Sequence, residues 1–369
     1  MAQRRVLVRA GTIVSMDPQV GELTGDVLVE GDRIAAIGAH MEVDAAGVEV
    51  IDASHHIARA GFIDTHRHLY QNLLRGLGAN WSLFQYCVAM FGTLGPNSTA
   101  DDMYVANRLG CLDALDSGVT AVFDWSHNQL TPQHTDALLA GIEDTGIRAQ
   151  FGYGGSMEHY VECLAPPFRS TTHTDPAEVR RLRDRFPSDD GLVTLGLAAR
   201  GPHLSVMEVV EADWALAREL GIRINIHLGQ GIFPGRPAVG PMLERSLLGD
   251  DVTFGHCNLL TDGAMKLMAE HGVTATVTPE DEANMGHGYL MIETADVSMT
   301  PVVDPVARSC TTRAARPSPT SLWPGAGSRR TVSSSASTSR NSTAAPPVRH
   351  GACSSAPRSG PAGPPRLAG

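Results

Sequence analysis

The chain has 369 residues, of which 42% are hydrophobic, and a formal net charge of −11. This composition is that of a globular protein, and no run approaches the roughly 20 apolar residues of a membrane span, so we expect neither a membrane partner nor a secretion signal. The acidic balance disfavours nucleic acid as a partner, because phosphate binding needs a basic face, and favours a small-molecule substrate.

Cysteine usage indicates a reducing compartment. The six cysteines are Cys87, Cys111, Cys163, Cys257, Cys310 and Cys353. None belongs to a CxxC pair, and in a chain of this length scattered cysteines favour free thiols over a disulfide scaffold. We therefore expect a cytoplasmic protein.

The first 60 residues have the pattern of short β-strands. Three stretches, VLVRAGTIVSM, GDVLVEGDRIAAIG and VEVIDASHHIA, cluster or alternate β-branched residues, with Gly and Asp turns between them. No helical period is visible in this region. Residues 1–60 are therefore predicted to form the N-terminal portion of a small β-sandwich.

From Gly61 onward, apolar strands alternate with amphipathic helices. Strands are predicted at 61–66, 118–125, 146–153, 191–199, 221–227, 251–256, 272–278 and 297–304. Glycine ends helical stretches such as DDMYVANRLGCLDALDSG and VMEVVEADWALARELG, as it often does at helix C-termini. This pattern over residues 61–304 predicts an α/β fold, a (β/α)8 barrel of about 250 residues. A doubly wound open sheet is the structural alternative.

Beyond Asp304 the alternating pattern ends. Residues 305–369 contain nine arginines but no Asp, Glu, Lys, Ile, Met, Phe or Tyr. Such a segment cannot bury enough apolar surface to offset the entropy of ordering it. We predict a disordered, low-complexity tail, which leaves the barrel incomplete at its C-terminal end. Arginine outnumbers lysine 28 to 1 in the chain, as in GC-rich genes, so coding sequence read out of frame is a second explanation of the tail.

The first motif with recognisable chemistry is Asp64-Thr65-His66-Arg67-His68, at the carboxyl end of the first barrel strand. Residues i and i+2 of an extended chain point to the same side, so the two imidazoles can converge on one cation. Barrel enzymes also place their chemistry at the carboxyl ends of strands. Arg67 points the opposite way and is predicted to have a structural role.

Three further strand ends carry residues that bind metals. His227 ends the fifth strand, His256 the sixth and Asp304 the eighth. Imidazoles and a carboxylate suit one divalent metal ion, with zinc favoured and iron or manganese as alternatives. A lone histidine at a strand end is more often a hydrogen-bonded polar residue, but several on the strands of one barrel predict a metal site.

Longer stretches around these residues carry a family resemblance. They are GFIDTHRHLYQNLLRG, DSGVTAVFDWSHN, ELGIRINIH followed by FGHCN, and TPEDEANMGHG after the seventh strand. Over residues 1 to about 304 the chain resembles the amidohydrolase superfamily, in the branch of cytosine and guanine deaminases and triazine (chloro)hydrolases. The resemblance implies that His66, His68, His227 and Asp304 bind one metal ion and that His256 faces the substrate. It also implies N-terminal strands that form half of a sandwich, and assembly into homo-oligomers such as dimers.

The resemblance implies a hydrolase that acts on carbon–nitrogen bonds other than peptide bonds. A divalent metal would activate a water for attack on an sp² carbon, Asp304 would accept the proton of that water, and His256 would stabilise the developing charge. Relatives that deaminate heterocycles often carry HxxE after the fifth strand, whereas this sequence has Gln230 three residues after His227. An amide cannot donate a titrating proton. The predicted substrates are therefore cyclic amides, amidines, or aminated or halogenated heterocycles, with Gln230 as a catalytic residue that orients them.

Several side chains near other strand ends are candidates for substrate binding. They are His127, His203, Gln71, Trp81, Glu280 and His287. Each histidine has a structural or surface role as its alternative, and Trp81, Phe84 and Tyr86 either form an apolar wall or pack in the core. Glu280 and Glu282 are alternatives for the missing acid, although solvated loop carboxylates are the favoured interpretation of both.

Two non-catalytic hypotheses stand beside the hydrolase. One is a catalytically impaired amidohydrolase remnant from a truncated or frameshifted gene. The other is a metal-binding barrel that serves as a scaffold. Turnover by a folded, metal-loaded protein would distinguish the hydrolase from both.

Overall fold

The computed structural model describes residues 4–44, 47–78, 81–156, 160, 169–229, 238–279 and 282. Within these residues an N-terminal sheet is followed by a parallel barrel sheet with helices between its strands. The predicted eighth strand (297–304) and the predicted tail (305–369) lie outside the described residues.

The N-terminal region forms one mixed sheet. Its strands are β1 (Arg5–Val14), β2 (Glu22–Glu30), β3 (Arg33–Gly38) and β4 (Val48–Arg59), in the order β3-β2-β1-β4. The central strand β1 pairs antiparallel with β2 and parallel with β4. Val6, Leu7 and Val8 of β1 are buried, whereas Ile34 of β3 and Val50 of β4 are exposed. The described strands therefore form one sheet, whose central strand is buried on both faces near its start and whose outer strands expose apolar side chains.

The described part of the barrel is a sheet of parallel strands. In chain order they are β5 (Phe62–Arg67), β6 (Val119–Ser126), β7 (Arg148–Tyr153), β8 (Val193–Ala199), β9 (Arg223–Leu228), β10 (Val252–His256) and β11 (Thr274–Thr276). All neighbouring pairs are parallel. The sequence prediction of these seven strands is confirmed, because each observed end lies within two residues of the predicted one.

The strands follow one another in the sheet as they do in the chain, from β5 to β11. A doubly wound sheet would reverse this order at a switch point, so the structural alternative is wrong. The first and last of these strands come close enough for Thr65 Oγ1 and Thr276 Oγ1 to share a hydrogen bond of 2.6 Å. The seven strands therefore form a nearly closed barrel.

Helices connect the barrel strands. The α-helices are α1 (Leu83–Ala89), α2 (Ala100–Asp116), α3 (Pro132–Glu143), α4 (Pro176–Arg185), α5 (Met207–Leu220), α6 (Val239–Glu244) and α7 (Asp262–Glu270). Gly118 and Gly221, the predicted glycine ends of two helical stretches, follow α2 and α5 with positive φ, and Gly146 and Gly272 follow α3 and α7 in the same way. None of these helices combines the length and the apolar character that crossing a membrane requires.

Two glycines allow α2 to pack closely against its neighbours. A Cβ atom added at Gly110 would lie 2.5 Å from Asn72 Nδ2, on the short 3-10 helix Leu69–Leu74 that follows the HxH motif. One added at Gly141 of α3 would lie 2.5 Å from the Tyr104 carbonyl oxygen of α2. The segment after β5 is therefore held against α2, and α2 against α3.

Candidate metal centre

Three strand ends bring histidines together at the carboxyl end of the barrel. His66 lies near the end of β5, His227 near the end of β9 and His256 at the end of β10. Each is more than nine-tenths buried. Their ligand nitrogens all lie within 4.8 Å of one another. The structure thus brings two predicted metal ligands and the predicted substrate-facing histidine into one cluster.

The spacing of the first pair suits a single divalent cation. His66 Nε2 and His227 Nε2 are 3.1 Å apart. Two imidazoles bound to one zinc at about 2.0–2.1 Å in tetrahedral geometry hold their nitrogens roughly 3.3 Å apart. Two facing lone pairs at this distance repel each other unless a proton or a cation lies between them. The donor set therefore fits a metal such as zinc.

His68, the second histidine of the HxH motif, lies beside this cluster. Its ring centroid is 5.3 Å from that of His66 and 5.2 Å from that of His227, although its ligand atoms fall outside the group of three. Its Nδ1 lies 2.6 Å from the Trp125 carbonyl oxygen. Since a carbonyl only accepts, Nδ1 carries the proton and Nε2 keeps a lone pair. Hydrogen bonds of this kind orient metal-binding histidines in proteins.

Burial favours the neutral form of three imidazoles at this site, those of His68, His127 and His227. It lowers the pKa of His68 to about 4. It also holds the pKa of His227 well below its usual range, and the neighbouring histidines lower that pKa further. The pKa of His127, which contacts His68, is lowered by burial and by His68. Because only a neutral imidazole binds a metal, His68 and His227 are in the protonation state that coordination needs.

His256 has a buried carboxylate as its partner. Its Nδ1 lies 3.3 Å from Glu282 Oε1 and 3.1 Å from Thr278 Oγ1. Burial opposes ionisation of Glu282, but hydrogen bonds from His256 and from the Thr278 N–H hold the pKa of this carboxyl below its usual range. Glu282 is only 3% exposed. The interpretation of Glu282 as a solvated loop carboxylate is therefore wrong, because this side chain packs against the end of β10.

A chain of hydrogen bonds links two predicted substrate-binding residues to His68. His127 Nδ1 lies 3.3 Å from the Trp125 carbonyl oxygen, the same atom that accepts from His68. His127 Nε2 lies 3.1 Å from the Tyr70 hydroxyl, which in turn accepts a 2.8 Å hydrogen bond from Gln71 Nε2. His127 and Gln71 are therefore tied to the motif that presents the histidines.

Gln71 and Trp81 also border a cavity of about 240 Å³ that Leu77 and Tyr86 help to line. Trp81 packs over Gly78, where an added Cβ would lie 2.4 Å from the indole ring.

Phe84 is 55% exposed, so it does not pack in the core. His203 is buried after β8 and lies against Gly201, where an added Cβ would be 3.3 Å from His203 Nδ1.

Two further buried residues near the histidines were not identified from the sequence. The Trp125 ring centroid is 4.1 Å from that of His227, and Trp125 Nε1 donates a 3.1 Å hydrogen bond to Asn225 Oδ1. Asp124 Oδ1 accepts a 3.0 Å hydrogen bond from the N–H of Leu69, the residue after His68. Both residues lie near the carboxyl end of β6, and this position was the available signal.

The remaining predicted site residues lie outside the part of the chain that the structure describes. They are Gln230, Glu280, His287 and Asp304. Their predicted roles, as substrate-orienting amide, substrate-binding residues and fourth metal ligand, stay predictions.

A parallel barrel with histidines at the carboxyl ends of its strands is a layout that metal-dependent barrel enzymes use. A sequence model of the amidohydrolase family matches residues 57–307, which is more than half of the chain. The chain therefore belongs to the amidohydrolase family. The match begins in β4 and includes every described strand of the barrel.

Curated relatives include two deaminases. A 5-methylthioadenosine/S-adenosylhomocysteine deaminase of Symbiobacterium thermophilum is 27% identical over 296 residues, which is 77% of this chain and 65% of the relative. A 5'-deoxyadenosine deaminase of Methanosarcina barkeri is 26% identical over 302 residues, which is 78% of this chain and 66% of the relative. The chain spans slightly less than two thirds of the length of these relatives.

Solved structures share the fold. A triazine hydrolase variant superposes with a TM-score of 0.67 at 20% identity and covers 77% of this chain and 67% of its own. A variant of atrazine chlorohydrolase from Arthrobacter aurescens TC1, complexed with zinc and atraton, has a TM-score of 0.65 at 21% identity with the same coverage. An adenosine deaminase from Xanthomonas campestris with bound zinc has a TM-score of 0.60 at 19% identity and covers 77% of this chain and 64% of its own. At these identities the likeness establishes the fold alone.

Proposed function

We propose that this chain is a metal-dependent hydrolase of carbon–nitrogen bonds in small cyclic amides, amidines, or aminated or halogenated heterocycles. The observation that carries the proposal is the convergence of buried imidazoles from separate strand ends. Burying polar groups costs free energy unless they find partners, so a barrel core gains no stability from collecting them. A bound metal ion would be the partner that offsets the cost of burying these imidazoles.

We assign the metal to His66, His68, His227 and Asp304, with His256 turned to the substrate. The facing Nε2 atoms of His66 and His227 support the first pair. The hydrogen bond of His68 Nδ1 to a carbonyl, which leaves Nε2 with a lone pair, supports the third ligand. Asp304 is proposed as the fourth ligand on the basis of the sequence pattern alone. The competing set replaces His68 by His256, whose nitrogen lies within the same 4.8 Å group.

Zinc is the favoured metal, with iron and manganese as alternatives. Imidazole and carboxylate ligands suit all three, and zinc prefers the four-coordinate geometry that three histidines and one aspartate provide. The chlorohydrolase and adenosine deaminase structures that share the fold both contain zinc.

The protein residues divide the chemistry among them. A bound divalent cation would supply a water that is activated for attack near neutral pH. Asp304 would accept the proton of the attacking water and pass it to the leaving atom. His256 would stabilise the charge that develops on the reacting group. His127, His203, Gln71, Trp81, Glu280 and His287 are the proposed substrate contacts.

A second candidate activity is deamination of an adenine-like ring, which the curated relatives favour by their names. Gln230 argues against it, because an amide cannot protonate a ring nitrogen. We therefore place amide, lactam and activated-ring hydrolysis first, with Gln230 orienting the substrate.

We also propose a division into an N-terminal sandwich portion (1–60), the barrel (61–304) and a tail (305–369). A cytoplasmic location accords with the free thiols of Cys87, Cys111 and Cys257. Assembly as a homo-oligomer stays a prediction from the family resemblance.

The test is a metal-exchange experiment on the full chain. The protein is stripped with a chelator, reloaded separately with zinc, iron or manganese, and assayed against amides, lactams and aminated or chlorinated heterocycles. We expect turnover to vanish on stripping, to return with one or more of these metals, and to be lost in His256→Ala. A folded, metal-loaded protein without turnover on the whole panel would contradict the hydrolase and favour the scaffold.

A further inference from the structure

We propose that Glu282 is a positioning residue that fixes the tautomer and the direction of the His256 ring. The inference deepens the proposed function, on which its catalytic consequence rests. Glu282 follows β11, and its side chain is almost completely buried beside the end of β10. A buried carboxylate needs donors around it, and the identity of those donors indicates its role.

Three neighbours donate to this carboxylate. Oε1 accepts a 2.8 Å hydrogen bond from the Thr278 N–H and lies 3.3 Å from His256 Nδ1. Oε2 lies 3.2 Å from the side-chain nitrogen of Asn258 when that amide is oriented to donate. An ionised carboxylate only accepts, so the contact with His256 requires a proton on Nδ1.

The contact with Glu282 also determines the state of Nε2, the other nitrogen of the His256 ring. With Nδ1 protonated and held by Glu282, Nε2 of the neutral ring carries a lone pair. The His256 ring is stacked on that of His227 at a centroid distance of 5.2 Å and lies 4.9 Å from that of His66. Glu282 therefore presents Nε2 to the site as an acceptor, in the way that carboxylates orient histidines around metals, and an acceptor there stabilises the positive charge that develops on a departing amine as it takes up its proton.

The backbone at this point supports a positioning role. His256 and Cys257 adopt φ values of 73° and 58°, in the left-handed region that side chains other than glycine rarely enter. Such conformations persist only where the surroundings fix them. The Cys257 N–H donates to the Leu228 carbonyl at 2.9 Å, and Thr278 and Glu282 hold the His256 ring. The strained turn and the carboxylate together set the direction of His256.

The experiment follows the His256 tautomer directly. The zinc-loaded full chain is labelled with ¹⁵N-histidine, and long-range ¹H–¹⁵N spectra report which ring nitrogen is protonated. The His256 signals are assigned by their loss in His256→Asn. The variants are Glu282→Gln and Glu282→Ala, with Glu270→Gln as the matched control because Glu270 is an exposed glutamate paired with Lys266.

We expect wild type and Glu270→Gln to show a single Nδ1-protonated form of His256. The amide introduced by Glu282→Gln can either accept from His256 Nδ1 or donate to it, so His256 should become a mixture of tautomers. The circular dichroism spectrum, which reports the fold, should stay that of wild type. On a substrate that is turned over, kcat should fall about 10- to 100-fold, the usual effect of removing such a partner, while KM stays close to that of wild type.

A single unchanged tautomer in Glu282→Gln would overturn the proposal, whatever the effect of Glu282→Ala on folding. Loss of the fixed tautomer supports it even if no substrate on the panel is turned over. Failure of the positioning role and failure of the proposed function are therefore distinguished by separate measurements.

Discussion

Burial sets the electrostatics around the strand-end histidines. It lowers the pKa of His68 to about 4 and raises the pKa of Asp124 to about 7. Both shifts favour the neutral form of the side chain, because a charge without water around it is costly. A cation that enters this site therefore meets lone pairs and no competing positive charge from the ring of His68.

Asp124 gives a prediction about stability and pH. The folded chain holds the Asp124 proton up to a pH of about 7, whereas an unfolded chain releases it near pH ~4. Between these values the folded state binds more protons, so the contribution of Asp124 to stability falls as the pH rises. Asp124→Asn removes this pH-dependent loss of stability, because an amide does not titrate in this range. The free energy of unfolding of Asp124→Asn relative to wild type should therefore increase with pH, by at most about 1.4 kcal/mol per unit.

Urea unfolding of the metal-free proteins across that pH range measures this difference, with the exposed Asp116→Asn as the control. A constant offset between Asp124→Asn and wild type would mean that Asp124 is ionised in the folded state throughout. The hydrogen bonds of Asp124 would then outweigh its burial.

Gln230 gives a prediction about selectivity. Gln230→Glu supplies the acid that HxxE relatives have, so it should raise deamination of an aminated heterocycle relative to hydrolysis of an amide or lactam. Both rates are measured on the same zinc-loaded preparation, with the exposed Gln133→Glu as the control. An unchanged ratio would show that residue 230 does not occupy the general-acid position.

Individual site residues could be predicted where the backbone pattern fixes the direction of the side chain. The spacing of His66 and His68 and the strand-end positions of His227 and His256 predict that these imidazoles lie close together. Glu282 was misassigned because its burial depends on packing against a different strand, which no local pattern encodes. Trp125 reads as an ordinary apolar residue until its contact with His227 is seen.

At the scale of elements, runs of β-branched residues bounded by glycine located the strands to within two residues. The sequence did not reveal how nearly the barrel closes, since the hydrogen bond between Thr65 and Thr276 joins residues 211 positions apart. The short 3-10 helix Leu69–Leu74 was also not predicted, and its start is fixed by the tertiary contact of Asp124 with Leu69.

The packing of α2 on α3 gives a prediction about helix glycines. Gly141→Ala should destabilise the protein by about 1–3 kcal/mol, because its Cβ would meet backbone that cannot move aside. Gly92→Ala, in the helical turn Met90–Leu94, should be neutral or slightly stabilising, because nothing lies within 4 Å of its added Cβ. Thermal or urea unfolding compares the two. Equal effects would show that the close contact between α2 and α3 is not what Gly141 provides.

At the scale of the whole molecule, the boundary at residue 304 stays a prediction from composition. Limited digestion with trypsin tests it, because residues 305–369 contain nine arginines and few side chains that could form a core. We expect cleavage within residues 305–369 before any cleavage in the barrel, as followed by intact-mass spectrometry. Resistance of this segment under conditions that cut the barrel would contradict the division.

The central claim is that the cluster of histidines at the strand ends holds one divalent metal ion. The most direct measurement is the zinc content of the zinc-loaded, desalted full chain, determined by inductively coupled plasma mass spectrometry. We predict about one tightly held equivalent in wild type, as one four-ligand site requires, and its loss in His66→Ala and in Asp304→Ala. His55→Ala, which removes an exposed histidine of β4, should keep the metal. Equal zinc in wild type and all three variants would show that the metal lies elsewhere and would contradict the account.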